Sequence, residues 1–222
     1  MKTVLSTKIL TPSQKELFLN SGLGLVEYDA LKIEFLDTKI PLDHQNYIFT
    51  SKNAVHAFLQ QTKGLDRSPF RCFCVGEKTK SLLESNGLQM VQMTEYASDL
   101  GQFIVENHPN EAFVFICGQQ RRDDLPQILS KNNIWYKEVV VYRSSLNSRV
   151  FFTDFEGILF FSPRGIQSFL LENTLKNSTL FCIGETTAAE AKKHSENIKI
   201  ANKPTVENVL VQAIKELKYD EK

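Results

Sequence analysis

Residues 48–59, IFTSKNAVHAFL, decide the fold, because the chain writes them a second time at 159–170 as LFFSPRGIQSFL. In both copies a short apolar run ends at a serine, Ser51 or Ser162, and a stretch with apolar residues at helical spacing follows, as in Val55, Phe58 and Leu59. That order reads as strand, turn and amphipathic helix. The match continues outward from this pair. CVGEKT at 74–79 returns as CIGETT at 182–187, and YASDL at 96–100 is paralleled by KPTVENV at 203–209. The offset, about 110 residues from Ser51 to Ser162, is too long for a solenoid repeat and fits two copies of one small domain.

Each copy alternates strand and helix. The first reads as strand Thr3–Thr7, helix Ser13–Ser21, an extended stretch Val26–Phe35, strand Tyr47–Thr50 and helix Lys52–Gln61. Strand Arg71–Val75, helix Lys78–Asn86, a short strand near Met90 and helix Ser98–Asn107 complete it. The second reads as strand Ala112–Cys117, helix Asp123–Asn132, extended Lys137–Ser144, strand Gly157–Phe161 and helix Gly165–Asn173. Strand Thr179–Ile183, helix Thr187–Ser195, strand Ile198–Ala201 and helix Val206–Leu217 follow. Alternation of this kind predicts an α/β fold with two similar doubly wound, parallel-sheet, flavodoxin-like domains. Leu31–Phe35 and Val139–Arg143, each followed by a polar turn, suit crossings between the domains better than sheet centres.

Composition narrows the function. The 222 residues are 42 % hydrophobic and 23 % charged, an ordinary globular balance. Lys and Arg together number 26, and so do Asp and Glu, so no net positive field recommends a nucleic acid or an anionic membrane as partner. No apolar stretch approaches the ~18–20 residues of a membrane helix, and no secretory signal precedes Lys8. Cys72, Cys74, Cys117 and Cys182 lie in apolar runs that read as buried strands. Such thiols behave as small hydrophobes and suggest a reduced, cytoplasmic chain. The Cys72-x-Cys74 spacing does not suit a zinc hairpin, and no metal site is expected.

In open parallel sheets ligands bind beyond the carboxyl ends of the strands, which makes the strand-to-helix turns the informative positions. Four recur: residues 50–53, 76–79, 162–165 and 184–187. Ser51 and Ser162 stand where helix N-caps belong, and Gly76 and Gly184 let the backbone turn tightly and leave a hydroxyl and amides facing outward. Amides at helix starts bind anions, and Lys52, Lys78, Arg121, Arg122 and Arg164 add positive charge near them. A second reading stands beside this one. Serine at a helix start is often only a cap worth ~0.5–2 kcal/mol, and duplication alone produces recurrence. Arg121-Arg122 followed by Asp123-Asp124 reads equally well as a solvated run. His44, His56, His108 and His194 share no turn and read as surface or packing residues, and Trp135 reads as a packing residue. No G-x-S-x-G, P-loop or dinucleotide fingerprint occurs. The residues alone thus lead to a two-domain α/β protein with turns suited to a polyanion.

Six segments in order then resemble a family: IFTSKNAV at 48–55, CVGEKT at 74–79, VVYRS at 140–144, FFSPRGI at 160–166, IGETTA at 183–188 and PTVENVL at 204–210. Their order and spacing resemble uroporphyrinogen-III synthases over about residues 3–216. The resemblance implies two α/β domains joined by a two-stranded β linker, the first built from residues 1–34 and 146–222, the second from 38–138, with linker strands at about 31–37 and 139–145. It implies a cofactor-independent, cyclising hydro-lyase. The substrate would be hydroxymethylbilane, a linear tetrapyrrole with eight carboxylates, which loses water and closes with ring D inverted to give uroporphyrinogen III. By matching position, Tyr142 is the implied proton donor, and Ser51, Asn53, Thr79, Ser162, Arg164, Thr186 and Thr187 the implied substrate-binding residues. Lys8 stands where many members carry arginine, and lysine lacks the planar bidentate grip on a carboxylate, so it is not counted. A monomer that receives its substrate from the enzyme making it is the implied setting. The alternative is a non-catalytic two-domain sensor or carrier for an anionic or tetrapyrrole ligand.

Overall fold

The computed structural model describes residues 1–219. In chain order the elements are β1 (Thr3–Ser6), α1 (Pro12–Leu19), β2 (Gly24–Glu27), β3 (Leu31–Phe35), β4 (Asn46–Phe49) and α2 (Lys52–Gln61). Next come β5 (Arg71–Val75), α3 (Glu77–Glu84), β6 (Gln89–Thr94), α4 (Ala97–Asn107), β7 (Phe113–Gly118), α5 (Asp124–Lys131) and β8 (Tyr136–Leu146). The chain finishes with β9 (Gly157–Phe160), α6 (Pro163–Leu170), β10 (Thr179–Cys182), α7 (Glu185–Ala191), β11 (Ile198–Ile200) and α8 (Val206–Tyr219).

These elements form two units. One comprises Met1–Lys32 with the chain from Ser145 onward, the other Ile33–Ser144. The first has a five-stranded sheet in the order β11-β10-β9-β1-β2, with each neighbouring pair of strands parallel. Read in the unit's own strand sequence this is 5-4-3-1-2, the flavodoxin-like order. The second has six strands in the order β3-β8-β7-β4-β5-β6. Here β7 and β8 take the places that β1 and β2 hold in the first unit, so each unit combines the opening βαβ of one sequence copy with the closing part of the other. The chain passes between the units inside β3 and again inside β8, and those two strands are hydrogen-bonded neighbours.

Each unit buries both faces of its sheet. In the first unit Leu5, Phe160 and Cys182 pack on one face with Ile166 and Phe169 of α6, while Val4, Leu159 and Phe181 pack on the other with Val209 and Leu210 of α8. In the second, Phe49, Cys74 and Ile116 lie with Val55 and Phe58 of α2, and Ile48, Phe73 and Phe115 with Leu100 and Leu125 of α4 and α5. Successive strand residues point to opposite faces, so runs apolar at every position must be covered twice. A fully buried Phe such as Phe49 or Phe160 contributes ~1.5–3 kcal/mol relative to exposure. At the amino-terminal edge of the second sheet Glu111 gathers Arg71, Asn46 and His108, each at 2.8 Å.

Three features differ from the sequence reading. The extended stretch Val26–Phe35 is two strands in two sheets. The break falls at Tyr28–Ala30, where the amides of Tyr28 and Ala30 follow the edge of β1 by donating to the carbonyls of Ser6 and Thr7, both at 3.1 Å. Val139–Arg143 is more than a crossing, for β8 lies between β3 and β7 inside its sheet. Trp135 does not pack in the core. Ile134 takes the buried place, and Trp135 is 54 % exposed, stacked against His44 with ring centroids 5.5 Å apart.

Candidate functional site

A doubly wound sheet opens a crevice where its strand order reverses, beyond the carboxyl ends of the strands. In the Ile33–Ser144 unit the reversal lies between β4, which leads to α2, and β7, which leads to α5. A pocket of about 370 Å3 opens there, with Ser51, Tyr96, Gly118, Gln120, Arg122 and Tyr142 among its walls. Ser51 is the N-cap of α2, and its Oγ accepts from the Ala54 amide at 3.2 Å. The same oxygen accepts from the Tyr142 hydroxyl at 3.0 Å. With both acceptor positions used, the proton of Ser51 remains for a bound oxygen. Asn53 lies half-buried in the first turn of the same helix.

Tyr142 reaches this position because β8 carries an extra residue. Ile116 pairs with Val139 and Cys117 with Val140, but Gly118 pairs with Tyr142 and skips Val141. Strict alternation would send Tyr142 to the face of Val140, toward α4 and α5. The bulge instead puts it on the face of Val139 and Val141, against the cluster that holds α2. Gln120 secures the neighbouring loop, its Oε1 accepting from the Ser144 amide at 3.1 Å and the Ser144 hydroxyl at 3.2 Å.

The two arginines of this loop differ. Arg121 donates through Nε and Nη2 to Glu138 Oε2, at 2.9 and 2.7 Å, and through Nη1 to Asp123. The Glu138 hydrogen bond, and then Asp123, hold its guanidinium above the usual arginine value despite partial burial. Arg121 is a brace for the loop, whereas Arg122 is exposed on the pocket wall. Thr79, at the start of α3, is buried, and its amide turns inward to the Gly76 carbonyl at 3.0 Å. Gly76 has φ 84°, which favours glycine.

In the other unit the reversal lies between β1 and β9. Ser162 caps α6, its Oγ accepting from the Gly165 amide at 3.0 Å, with Pro163 in the first turn, where no donor is lost. Arg164 is half-exposed beside it. At the start of α7, Thr186 is exposed while Thr187 is buried and its amide donates to the Gly184 carbonyl at 3.1 Å. Of the two G-x-x-T threonines expected to face outward, both lie in the third helical position and pack inward. Tyr28 follows β2 and is almost wholly buried, and burial pushes its hydroxyl up to about 12 against a smaller lowering by Ser168. Tyr142, by contrast, is half-exposed.

The reading of turns and helix starts therefore reached Ser51, Asn53, Ser162, Arg164 and Thr186 at strand-to-helix edges. It missed Tyr96, Gln120 and Gly118. The glycine directly after the apolar run 113–117 was the available signal. All four cysteines are free and buried, each thiol pushed up to about 12 chiefly by burial. They are not nucleophiles at neutral pH. Among the described residues no three His, Cys, Asp or Glu side chains gather as a metal cage, and no helix is long and apolar enough to cross a membrane. A larger cavity of about 830 Å3 lies between α1 and α8 at the opposite, amino-terminal edge of the first unit's sheet, with Leu17, Leu23, Val211 and Ile214 on its walls. It holds none of the candidate residues.

Comparison with known proteins adds a family to this geometry. Residues 14–210 match the family model described as uroporphyrinogen-III synthase HemD. A curated relative, the porphyrin biosynthesis protein HemD of Ruminiclostridium josui, is 25 % identical over 94 % of this chain. The chain spans 48 % of that relative, about half its length. Among solved structures, the uroporphyrinogen-III synthetase of Helicobacter pylori is similar with a TM-score of 0.77 at 20 % identity, covering 97 % of this chain and 100 % of that one. A mutant uroporphyrinogen III synthase of Thermus thermophilus has a TM-score of 0.64 at 13 % identity, covering 100 % of both chains. At these identities the likeness to the solved structures speaks for the shared fold.

Proposed function

The chain belongs to the uroporphyrinogen-III synthase HemD family, and on that premise we propose that it cyclises hydroxymethylbilane to uroporphyrinogen III with inversion of ring D. The observation that carries the reading is the Tyr142–Ser51 hydrogen bond on the wall of the carboxyl-edge pocket. Tyr142 is half-exposed, so its hydroxyl is accessible to a bound substrate in a way that the buried Tyr28 is not.

The reaction asks for two things. The terminal hydroxyl of the linear substrate must leave as water, which takes one proton. The substituted carbon of ring D must then bond to the freed methylene before the unsubstituted carbon does. Its older bond to the ring C methylene breaks, that methylene closes onto the unsubstituted carbon of ring D, and the proton there leaves. Tyr142 supplies the proton, a contribution that in positioned acids is typically ~10²–10⁴-fold. Ser51 holds the phenol in place through its capping oxygen. The larger share comes from holding the chain of four rings folded, since pre-alignment supplies ~7–11 kcal/mol in favourable cases. Carboxylates of the substrate find amides and charge at Ser51, Asn53 and Arg122 in the Ile33–Ser144 unit. Ser162, Arg164 and Thr186 are the corresponding candidate substrate contacts on the carboxyl edge of the other unit's own sheet. Thr79 and Thr187 act from below, shaping the turns whose outer amides meet the ligand. The reaction is read as a cofactor-independent dehydration by a monomeric, cytoplasmic enzyme that takes its substrate from the enzyme producing it.

Incubation with freshly generated hydroxymethylbilane, followed by chromatographic separation of the isomers, tests this. A synthase yields the type III product. A carrier or sensor leaves only the type I product of unassisted closure.

A further inference from the structure

We propose that Gly118 is a positioning residue for Tyr142: its missing side chain is the seat on which the phenol ring lies. The inference rests on the synthase reading above and adds a residue to that site. A Cβ built on Gly118 would fall 2.4 Å from Tyr142 Cζ, 2.6 Å from Cε2 and 2.8 Å from the hydroxyl oxygen. No side-chain carbon tolerates such distances, and the obstructed atoms belong to the reactive end of the ring. Backbone conformation does not explain this glycine, because Gly118 is not among the residues with positive φ. Space is what it provides.

The same few residues steer the ring from three directions. The bulge pairs Gly118 with Tyr142 and turns the tyrosine to the α2 face. The Gln119 amide donates to the Tyr142 carbonyl at 2.9 Å and pins the backbone at that register. Ser51 Oγ then receives the hydroxyl at 3.0 Å. A methyl group at position 118 removes the seat while leaving the bulge and the cap in place, so the ring must swing away from Ser51. Displacement of a reacting group by an ångström costs about 10²-fold in rate in favourable cases.

The test uses the full chain carrying Gly118→Ala, Tyr142→Ala, or both. Type III formation is assayed, and the single-substitution protein is observed by NMR with tyrosine labelled at Cζ, the Tyr142 signal being assigned by its loss in Tyr142→Phe. Gly118→Ala is expected to move the Tyr142 signal and to lower turnover roughly 10- to 100-fold. Added to Tyr142→Ala it is expected to change turnover by less than about twofold, because the group it acts through is gone. Should Gly118→Ala fail to fold while the double substitution folds, the proposal is supported, since only removal of the ring relieves the clash. Unchanged turnover in Gly118→Ala overturns it, as does an unmoved Tyr142 signal. So does an equal loss in the Tyr142→Ala background, or failure of both proteins to fold. If the parent protein forms no type III isomer, the functional reading falls on its own, while the NMR signal and the folding comparison still decide whether Gly118 seats the ring.

Discussion

The hydroxyl of Tyr142 on β8 donates to the capping oxygen of Ser51 at the start of α2 over 3.0 Å, joining residues 91 apart in sequence. One oxygen thus serves both a helix end and a candidate proton donor. The two roles separate by mutation. Tyr142→Phe keeps the ring and is expected to lower turnover about 10²-fold or more while leaving residual activity, because folding of the substrate persists. Ser51→Ala is expected to lower turnover as well, and to cost ~0.5–2 kcal/mol of stability through the lost cap. Thr11 caps α1 with a full capping box and supplies the control. Thr11→Ala should lose similar stability in urea denaturation and keep wild-type turnover.

Cys72, Cys74, Cys117 and Cys182 have no exposed surface, and burial pushes each thiol up to about 12. The native protein at pH 8 should therefore react with an aromatic disulfide reagent only on the timescale of opening, and all four thiols should appear at once in denaturant. Four fast-reacting thiols in the native state would contradict the burial of these strands.

Glu111 gives the fold a defined acid sensitivity. Burial pushes its carboxyl up, but the hydrogen bond with His108, the Arg71 charge and the Asn46 hydrogen bond outweigh that and hold it below the ordinary glutamate value. A carboxylate lowered in the folded state adds stability that is complete above the unfolded value, about 4.3, and lost as pH falls through the folded one. Glu111→Gln should accordingly be less stable than the parent at pH 7, with the gap closing below about pH 4. Urea midpoints for both proteins across that range check the sign.

Much of the architecture was legible because it rests on local pattern. Lys52–Gln61 and Arg71–Val75 stand in the structure with the bounds read from spacing, since apolar periodicity and serine caps are written in neighbouring residues. What was not legible depends on partners far along the chain. The turn at Tyr28–Ala30 carries no glycine or proline and is made by the carbonyls of Ser6 and Thr7. The inward set of Thr79 and Thr187 follows from their rank in the helix after a glycine N-cap, where the third residue faces the sheet. The site shows the same division. Ser51 was found as a cap, but the face on which Tyr142 lies depends on a bulge opposite Gly118, and a bulge reverses what alternation predicts.

The claim that a folded tetrapyrrole is closed at this pocket is tested most directly by titrating the protein against freshly made hydroxymethylbilane and following the ratio of type III to type I isomer. The ratio is expected to climb with protein concentration until unassisted closure is outrun, and to climb far less steeply with Tyr142→Phe. A ratio that stays at the unassisted value at every protein concentration would contradict it.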